Sequence, residues 1–484
     1  GLMGRYIGLD LGTTTIIGLI LDTDARQVVH AESARNDTRI AIRHRRSLGR
    51  SEWHMVLMHQ IVLELLRNLV HASGISQVDA IGVTGQMHGM VLLDGSNTPR
   101  SSFIGWQDQR CQEPMPGGTT YIDEMLRRGG ELFERSGCTP ATGYMGSTLF
   151  WMRHNGKIPS GTLACFAPDF VVSSLTDSRP VTDATNAAGS GLLDVANGCW
   201  NAELLEALGL DPAWLPEIRP SLDLAGTLSA AAADATALPA GLPVAVASGD
   251  NQASFAGAVA DYARSLLVNV GTGGQVSVHV DEPVRGDGLD LRPFLRRGYL
   301  LVGASLCGGG SFRVLSDFIR AVGAEVFDLH DFDDLDDRLT VLARSAPPGS
   351  EGLVCEPVFT GSRQDPLRRA RWEGLSDTNF TPANLTRSLL EGLAAQFGLF
   401  YDDMRRLGVE ARTTLVGAGN GIRRNPVLAE ILSSHFGATM RIASHTEEAA
   451  VGAALGAAVT AGEFSDIEEA GRRFIRYDGI SGGT

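Results

Sequence analysis

Two related α/β domains flanking a ligand cleft are predicted by three observations. A strand–turn–strand unit near the start, Tyr6-Ile7-Gly8-Leu9-Asp10-Leu11-Gly12-Thr13-Thr14-Thr15-Ile16-Ile17-Gly18-Leu19, has a second version about 260 residues later, Leu266-Leu267-Val268-Asn269-Val270-Gly271-Thr272-Gly273-Gly274-Gln275-Val276-Ser277-Val278. That separation is too long for a solenoid repeat and suits a duplicated domain. Strand-like and helix-like stretches alternate through the first half, the pattern of a sheet covered by helices. A chain of 484 residues also exceeds what a single hydrophobic core holds.

The first unit reads as an apolar strand, a tight turn and another apolar strand. Its turn gathers Asp10, Gly12 and the hydroxyls of Thr13, Thr14 and Thr15. Free N–H groups and hydroxyls at such a tip suit phosphate oxygens, and Asp10 can hold the waters of a Mg²⁺ ion. An ordinary surface hairpin uses the same turn residues. From Ser51 to Val70, Met55, Met58, Val62, Leu65 and Leu69 recur at helical spacing. The strand Ala80-Ile81-Gly82-Val83-Thr84 then delivers Gln86, Met87, His88 and Gly89 at its end.

Ala230 to Pro243 reads as a connector into a short strand over 243–247, which puts the division at residues 1–247 and 248–484. Asp250 follows that strand and a glycine, just ahead of the second hairpin. There it can act as a general base or cap a helix. In the second hairpin Gly271 and Thr272 make the turn, with Asn269 where the first has Asp10. Thr381-Pro382 opens a helix. A further strand runs into Gly417, Ala418 and Gly419, where a flat ligand can lie against the backbone. Asn425-Pro426 opens the next helix, with Asn as cap and Pro at the first helical position. The small-residue helix between Glu447 and Gly462 is expected to pack very close to its neighbours. Neither Gly-x-Gly-x-x-Gly nor a Walker A motif fits any of these loops.

Composition narrows the function. A net charge of −15 leaves no basic face for nucleic acid or an anionic membrane. The local exception, Arg39, Arg43, Arg45, Arg46 and Arg50, reads as a solvated loop. Lys157 is the only lysine, and no Walker or protein-kinase motif surrounds it, so a phosphoryl group would have to be held by backbone, hydroxyls, metal and arginine. Six dispersed cysteines show neither zinc spacing nor a disulfide framework, which points to a reducing, cytoplasmic setting. No apolar run approaches the ~20 residues of a membrane helix.

This set of segments resembles the two phosphate loops and the adenosine loop of the actin, heat-shock chaperone and hexokinase superfamily. Within it the chain resembles the FGGY carbohydrate kinases over nearly its whole length. The markers are Gly85-Gln86-Met87-His88-Gly89, Trp106-Gln107-Asp108-Gln109-Arg110-Cys111, Ser248-Gly249-Asp250-Asn251-Gln252-Ala253, and Glu373-Gly374-Leu375 through Leu390-Glu391-Gly392. Ala141-Thr142-Gly143-Tyr144 and Arg424-Asn425 look most like the sedoheptulokinase branch, with xylulokinase next. The resemblance implies two ribonuclease-H-like, actin-like ATPase domains, with ATP and Mg²⁺ as nucleotide and cofactor. It also implies transfer of the γ-phosphoryl group to a hydroxyl of a ketose, sedoheptulose first. The expected partners are a small-molecule sugar and, at most, a second copy of the chain.

Carried over residue by residue, the resemblance makes Asp250 the base and Asn251 a substrate contact. Gly12, Thr13, Thr14, Thr15, Gly271, Thr272, Gly417, Ala418, Gly419 and Asn425 would hold the nucleotide. Asp10, through water, and Asp250 would face the metal. Ile422 departs from the small polar residue usual beside the nucleotide. Gln86, Met87 and His88 match a sugar-side segment, as do Asp183 and Asn186. Asp108 and Arg110, two apart, would share one face of a strand and can bond sugar hydroxyls or each other. Trp106 can wall the sugar or fill the core. Two rivals remain open: a nucleotide-binding member without catalysis, and a kinase for another polyol such as glycerol.

Overall fold

The computed structural model describes residues 1–479. The chain opens with three antiparallel strands, β1 (Arg5–Leu11), β2 (Thr15–Asp22) and β3 (Gln27–Arg35). Helix α1 (Met55–Ser73) and strand β4 (Ala80–Gly85), parallel to β1, come next. The apolar pattern predicts a helix from Ser51, but the helix begins at Met55. Glu52–Trp53 are instead drawn into an antiparallel ladder with Phe103–Ile104. All five predicted apolar positions of α1 are buried, and that burial, at about 25 cal/mol per Å², holds the helix to the sheet.

An insertion after β4 carries α2 (Met145–His154) and α3 (Ala184–Ala188). Strands β5 (Leu224–Thr227), β6 (Pro243–Ala245) and β7 (Ser248–Gly249) complete the first sheet, in the order β5-β6-β4-β1-β2-β3 with β7 beside β4. The stretch from Ala230 to Pro243 is not the plain connector expected. Its alanines form a helix over Ala230–Thr236, capped by Ser229, because both prolines lie beyond its end. The division expected after residue 247 falls just ahead of β7, which still pairs in the first sheet.

Helix α4 (Asp250–Ala258) leads into the second half. There follow β8 (Ser265–Val270), β9 (Gly274–Val280), β10 (Asp290–Pro293), β11 (Tyr299–Ser305) and α5 (Gly309–Phe327). Next come α6 (Pro382–Arg406), β12 (Thr414–Ala418), α7 (Pro426–Phe436), β13 (Met440–Ala443), α8 (Glu448–Thr460) and β14 (Tyr477–Gly479). The second sheet runs β10-β11-β9-β8-β12-β13-β14. Its path β11-β9-β8-β12-β13 repeats β3-β2-β1-β4-β6 of the first: three antiparallel strands, then two parallel ones. The duplication expected from the two hairpins is therefore present strand for strand.

Helix α8 ties the halves together. It belongs to the second half by sequence but lies on β1 and β4 of the first sheet and against α4. A Cβ on Gly8 would overlap the carbonyl oxygen of Ala450, and one on Gly82 that of Ala453. Gly452 meets the carbonyl of Ala253 in α4 in the same way. The small-residue run thus packs backbone to backbone, as its composition predicts.

Candidate active site

The two hairpin tips are built alike and braced differently. At the first, the Gly12 N–H donates to the Thr15 carbonyl at 3.0 Å and closes the turn. Asn36 clamps it from β3's end, its N–H donating to the Thr14 carbonyl at 2.9 Å and its side chain to that of Gly12 at 3.2 Å. Thr14 and Thr15 are exposed at the tip. At the second, the first turn of α5 leans on the hairpin: the N–H groups of Gly309 and Gly310 donate to the carbonyls of Gly271 and Thr272 at 2.8 and 2.9 Å. A Cβ on Gly309 would sit 2.8 Å from the Gly271 oxygen, so this approach needs glycine. Gly271 and Thr272 are exposed beside a helix N-terminus, which favours negative charge.

The third loop leaves β12 at Gly417 and Ala418, both buried. Gly419 turns the chain with φ +88, and a Cβ there would lie 2.6 Å from the Asn269 side-chain oxygen. Asn269 of the second hairpin thus abuts this loop. Asn425 caps α7 by accepting from the Leu428 N–H at 3.0 Å, the role its pairing with Pro426 predicts. Ile422 is buried in the core.

Asp10 stands near the end of β1, Asp250 follows β7 of the same sheet, and the charge of Asp250 acts on Asp10. Burial pushes the Asp10 carboxyl up to about 7, with Asp250 and then Glu447 adding repulsion. Its Oδ1 is buried without a hydrogen-bond partner. Among the described residues no three His, Cys, Asp or Glu side chains converge to ligate a metal directly. An orphaned Asp10 acceptor near two further carboxylates fits a hydrated divalent cation held through water. Asp250 is the first residue of α4; the cap is Gly249, so Asp250 is not spent as a capping side chain. Burial raises Asp250 to about 6, and the Arg292 cation pulls it back.

The sugar-side segment follows β4. Met87 is buried against Gly249, and Gln86 is buried with both amide atoms unpartnered. His88 adopts a left-handed backbone (φ +78), its Nδ1 lies 2.8 Å from the Gly189 carbonyl oxygen, and its ring stacks on Tyr144 with centroids 4.1 Å apart. Burial pushes His88 down to about 4, so the imidazole is neutral. Asn251 donates to Gln275 of β9 at 2.7 Å, linking α4 to the second hairpin, while its own oxygen has no partner. A cavity of about 1270 Å³ is lined by His88, Trp106, Tyr144, Asp290 and Arg363, among others. Trp106 is 45% exposed and donates from Nε1 to the Thr13 hydroxyl at 3.3 Å, so it spans sugar side and phosphate hairpin and does not fill the core.

Three expectations change. Asp108 and Arg110 lie in a loop and 3₁₀ turn, not on a strand. They bond each other at 2.8 and 3.0 Å, with Ser51 N–H and Glu52 completing the network, and Asp108 is fully buried. Both carboxylate oxygens of Asp108 are taken, so of the two alternatives the structure shows the pair bonding each other and fixing the Trp106 loop. Asp183 caps α3 and also accepts from Thr185 and Ser221, whereas the Asn186 oxygen is buried and free. The arginine cluster is partly tied down: Arg45 pairs with Glu52 at 2.7 Å, Arg50 with Glu113, and Arg39 lies over Trp53. The Arg46 side chain lies outside the described residues. Sequence reasoning missed Gln275, Asp290, Arg292 and Arg363. Gln275 sat inside the quoted hairpin, but β10 carries no motif.

The duplicated two-sheet fold brings two Gly-Thr hairpin tips, the Asp10 and Asp250 carboxylates and a cavity lined by His88, Trp106 and Tyr144 into one molecule. Family models agree: the N-terminal domain of the FGGY family of carbohydrate kinases matches residues 5–257, and its C-terminal domain residues 266–461. The chain belongs to this family and is an ATP-dependent sugar kinase. It is 26% identical to the xylulose kinase of Haemophilus influenzae, over 98% of this chain and 94% of that protein. It is 27% identical to the sedoheptulokinase of Mus musculus, over 89% and 92%. The crystal structure of xylulose kinase from Rhodospirillum rubrum superposes with a TM-score of 0.85 at 25% identity, covering 98% and 93% of the two chains. Among the described residues no helix is long and apolar enough to cross a membrane.

Proposed function

We propose that the enzyme transfers the γ-phosphoryl group of ATP to a hydroxyl of a ketose, sedoheptulose first, with Asp250 as general base. The observation that carries the ketose assignment is the stack of Tyr144 on His88 at the cavity wall. It joins the segment resembling the sedoheptulokinase branch to the neutral imidazole of the Gln-Met-His-Gly run. Xylulose is the second reading, favoured by Asn251 and its bond to Gln275.

A sugar hydroxyl must lose its proton as the bond to phosphorus forms. Asp250, desolvated at the start of α4 and uncommitted to capping, accepts it, and the Arg292 cation favours its ionised form. Thr13, Thr14, Thr15 and Thr272, with the backbone of Gly12, Gly271 and Gly419, align the phosphates, since phosphoryl transfer depends chiefly on positioning and charge. Asp10, through water, and Asp250 would hold Mg²⁺, which would supply charge neutralisation on the phosphates. Trp106, bonded to Thr13, excludes water between sugar and nucleotide. Six unpaired cysteines suit a cytoplasmic enzyme.

The test is ADP release with Mg²⁺-ATP across ketoses and polyols, alongside Asp250→Ala. Turnover on one ketose, lost in the variant, supports both substrate class and base. Turnover that survives the substitution removes Asp250 from the mechanism.

A further inference from the structure

One wall of the cavity beside His88 reaches the proposed base only through Arg292. Asp290 and Arg363 line the cavity with His88, Trp106 and Tyr144, yet both come from the second half of the chain. Asp290 stands on β10, the edge strand of the second sheet. Its Oδ2 receives Arg292 at 2.9 Å and lies 3.6 Å from Arg363, so two guanidinium groups share one carboxylate. Its Oδ1 accepts no hydrogen bond from the described residues. The wall is fixed to the sugar side because the Leu291 N–H donates to the Gly137 carbonyl at 2.8 Å, at the start of the loop that carries Tyr144.

The cavity, about 1270 Å³, exceeds the roughly 300–1,000 Å³ of an ordinary ligand pocket. Thr14, Thr272, Gly419 and Asp250 are not among its lining residues, so the cavity extends away from the phosphate loops and the base, on the side of His88. A free carboxylate oxygen beside two arginines is a donor–acceptor set for neighbouring hydroxyls. One hydroxyl donates to Asp290 while the next accepts from Arg363, and both bonds are charge-assisted. Pairing with Asp290 leaves the wall one net positive charge, which a neutral polyol tolerates. We propose that Asp290 and Arg363, oriented by Arg292, bind the distal hydroxyls of a ketose longer than five carbons and so set chain-length preference. This inference rests on the ketose-kinase reading.

The experiment measures kcat and KM separately for xylulose and sedoheptulose, in the unaltered enzyme and in Arg363→Gln and Asp290→Asn. The unaltered enzyme is expected to prefer sedoheptulose. Each substitution should lower the sedoheptulose-to-xylulose ratio of kcat/KM about tenfold, through the KM for sedoheptulose. Arg363 is half exposed, so its replacement keeps the test open if Asp290→Asn fails to fold. A preference for xylulose in the unaltered enzyme, or a ratio that Arg363→Gln does not move, overturns the assignment while leaving a ketose kinase. Turnover of neither ketose overturns the underlying reading as well.

Discussion

Two desolvated carboxylates, Asp10 and Asp250, are raised above their ordinary range. As the proposed base, Asp250 would have to be ionised to accept a proton, and desolvation raises it to about 6. kcat/KM is therefore expected to fall as pH drops through about 6, with Asp10, Glu447 and Arg292 as the charges that face this pair. Arg292→Met removes the cation that favours the ionised form, so the acidic limb should move to higher pH; a limb that stays in place excludes Arg292 from tuning the base. The same burial has a stability consequence of opposite sign to an ordinary ion pair. Asp10 is raised to about 7 in the fold against an ordinary 3.8. Its penalty is absent below the unfolded value, grows as pH rises, and is complete above about 7. Asp10→Asn should thus stabilise the protein at pH 8, on the order of 1–4 kcal/mol, with the gain in melting temperature fading towards pH 4. Loss of activity in that variant would be the cost of removing a strained functional group. Asp10 and Asp250 were legible in the sequence because each sits in a local motif. Arg292 was not, because its place beside Asp250 depends on edge-strand pairing between segments with no shared pattern.

At the level of elements, the contact between α8 and α4 decides whether Asp250 is held in place. Gly→Ala in an exposed helix gains about 1 kcal/mol from propensity. Gly452 is different: a Cβ there overlaps the Ala253 carbonyl, which is backbone and cannot swing aside. Overpacking of this kind costs about 1–3 kcal/mol or more, so Gly452→Ala is expected to lower urea stability and, by displacing α4, kcat as well. An unchanged or raised midpoint would mean that the helices separate at little cost. The sequence made this helix readable as a tightly packed one, and it made the caps at Thr381 and Asn425 readable because capping is local. It misread Asp108 and Arg110, since spacing of two suits a strand face only if a strand is present. Here the loop folds back on Ser51 and Glu52, a contact set by tertiary structure. The start of α1 was misread for the same reason: Trp53 is claimed by Phe103, far along the chain.

Across the whole molecule, cationic charge near the phosphates has to come without lysine. Lys157, the only one, is exposed in the turn after α2, hydrogen-bonded through its backbone to Met152 and absent from the cavity lining. Kinases built on a P-loop or a protein-kinase fold lose activity when the phosphate-binding lysine is blocked, because that amine neutralises transferring charge. In the proposed mechanism of this duplicated fold the task would pass to paired hairpin tips, the N-terminus of α5 and a hydrated metal, with α8 packed on the first sheet and against α4. Lys157→Ala is therefore expected to leave kcat and the KM for ATP unchanged, and acylation of protein amines to leave sugar phosphorylation intact. Acetylation at Lys157 that abolishes turnover, with the fold preserved by circular dichroism, would place a cation in the transfer path that the two-hairpin clamp does not provide. Retained turnover after complete acylation would leave the hydroxyls, backbone and arginines as the protein groups that meet the phosphates.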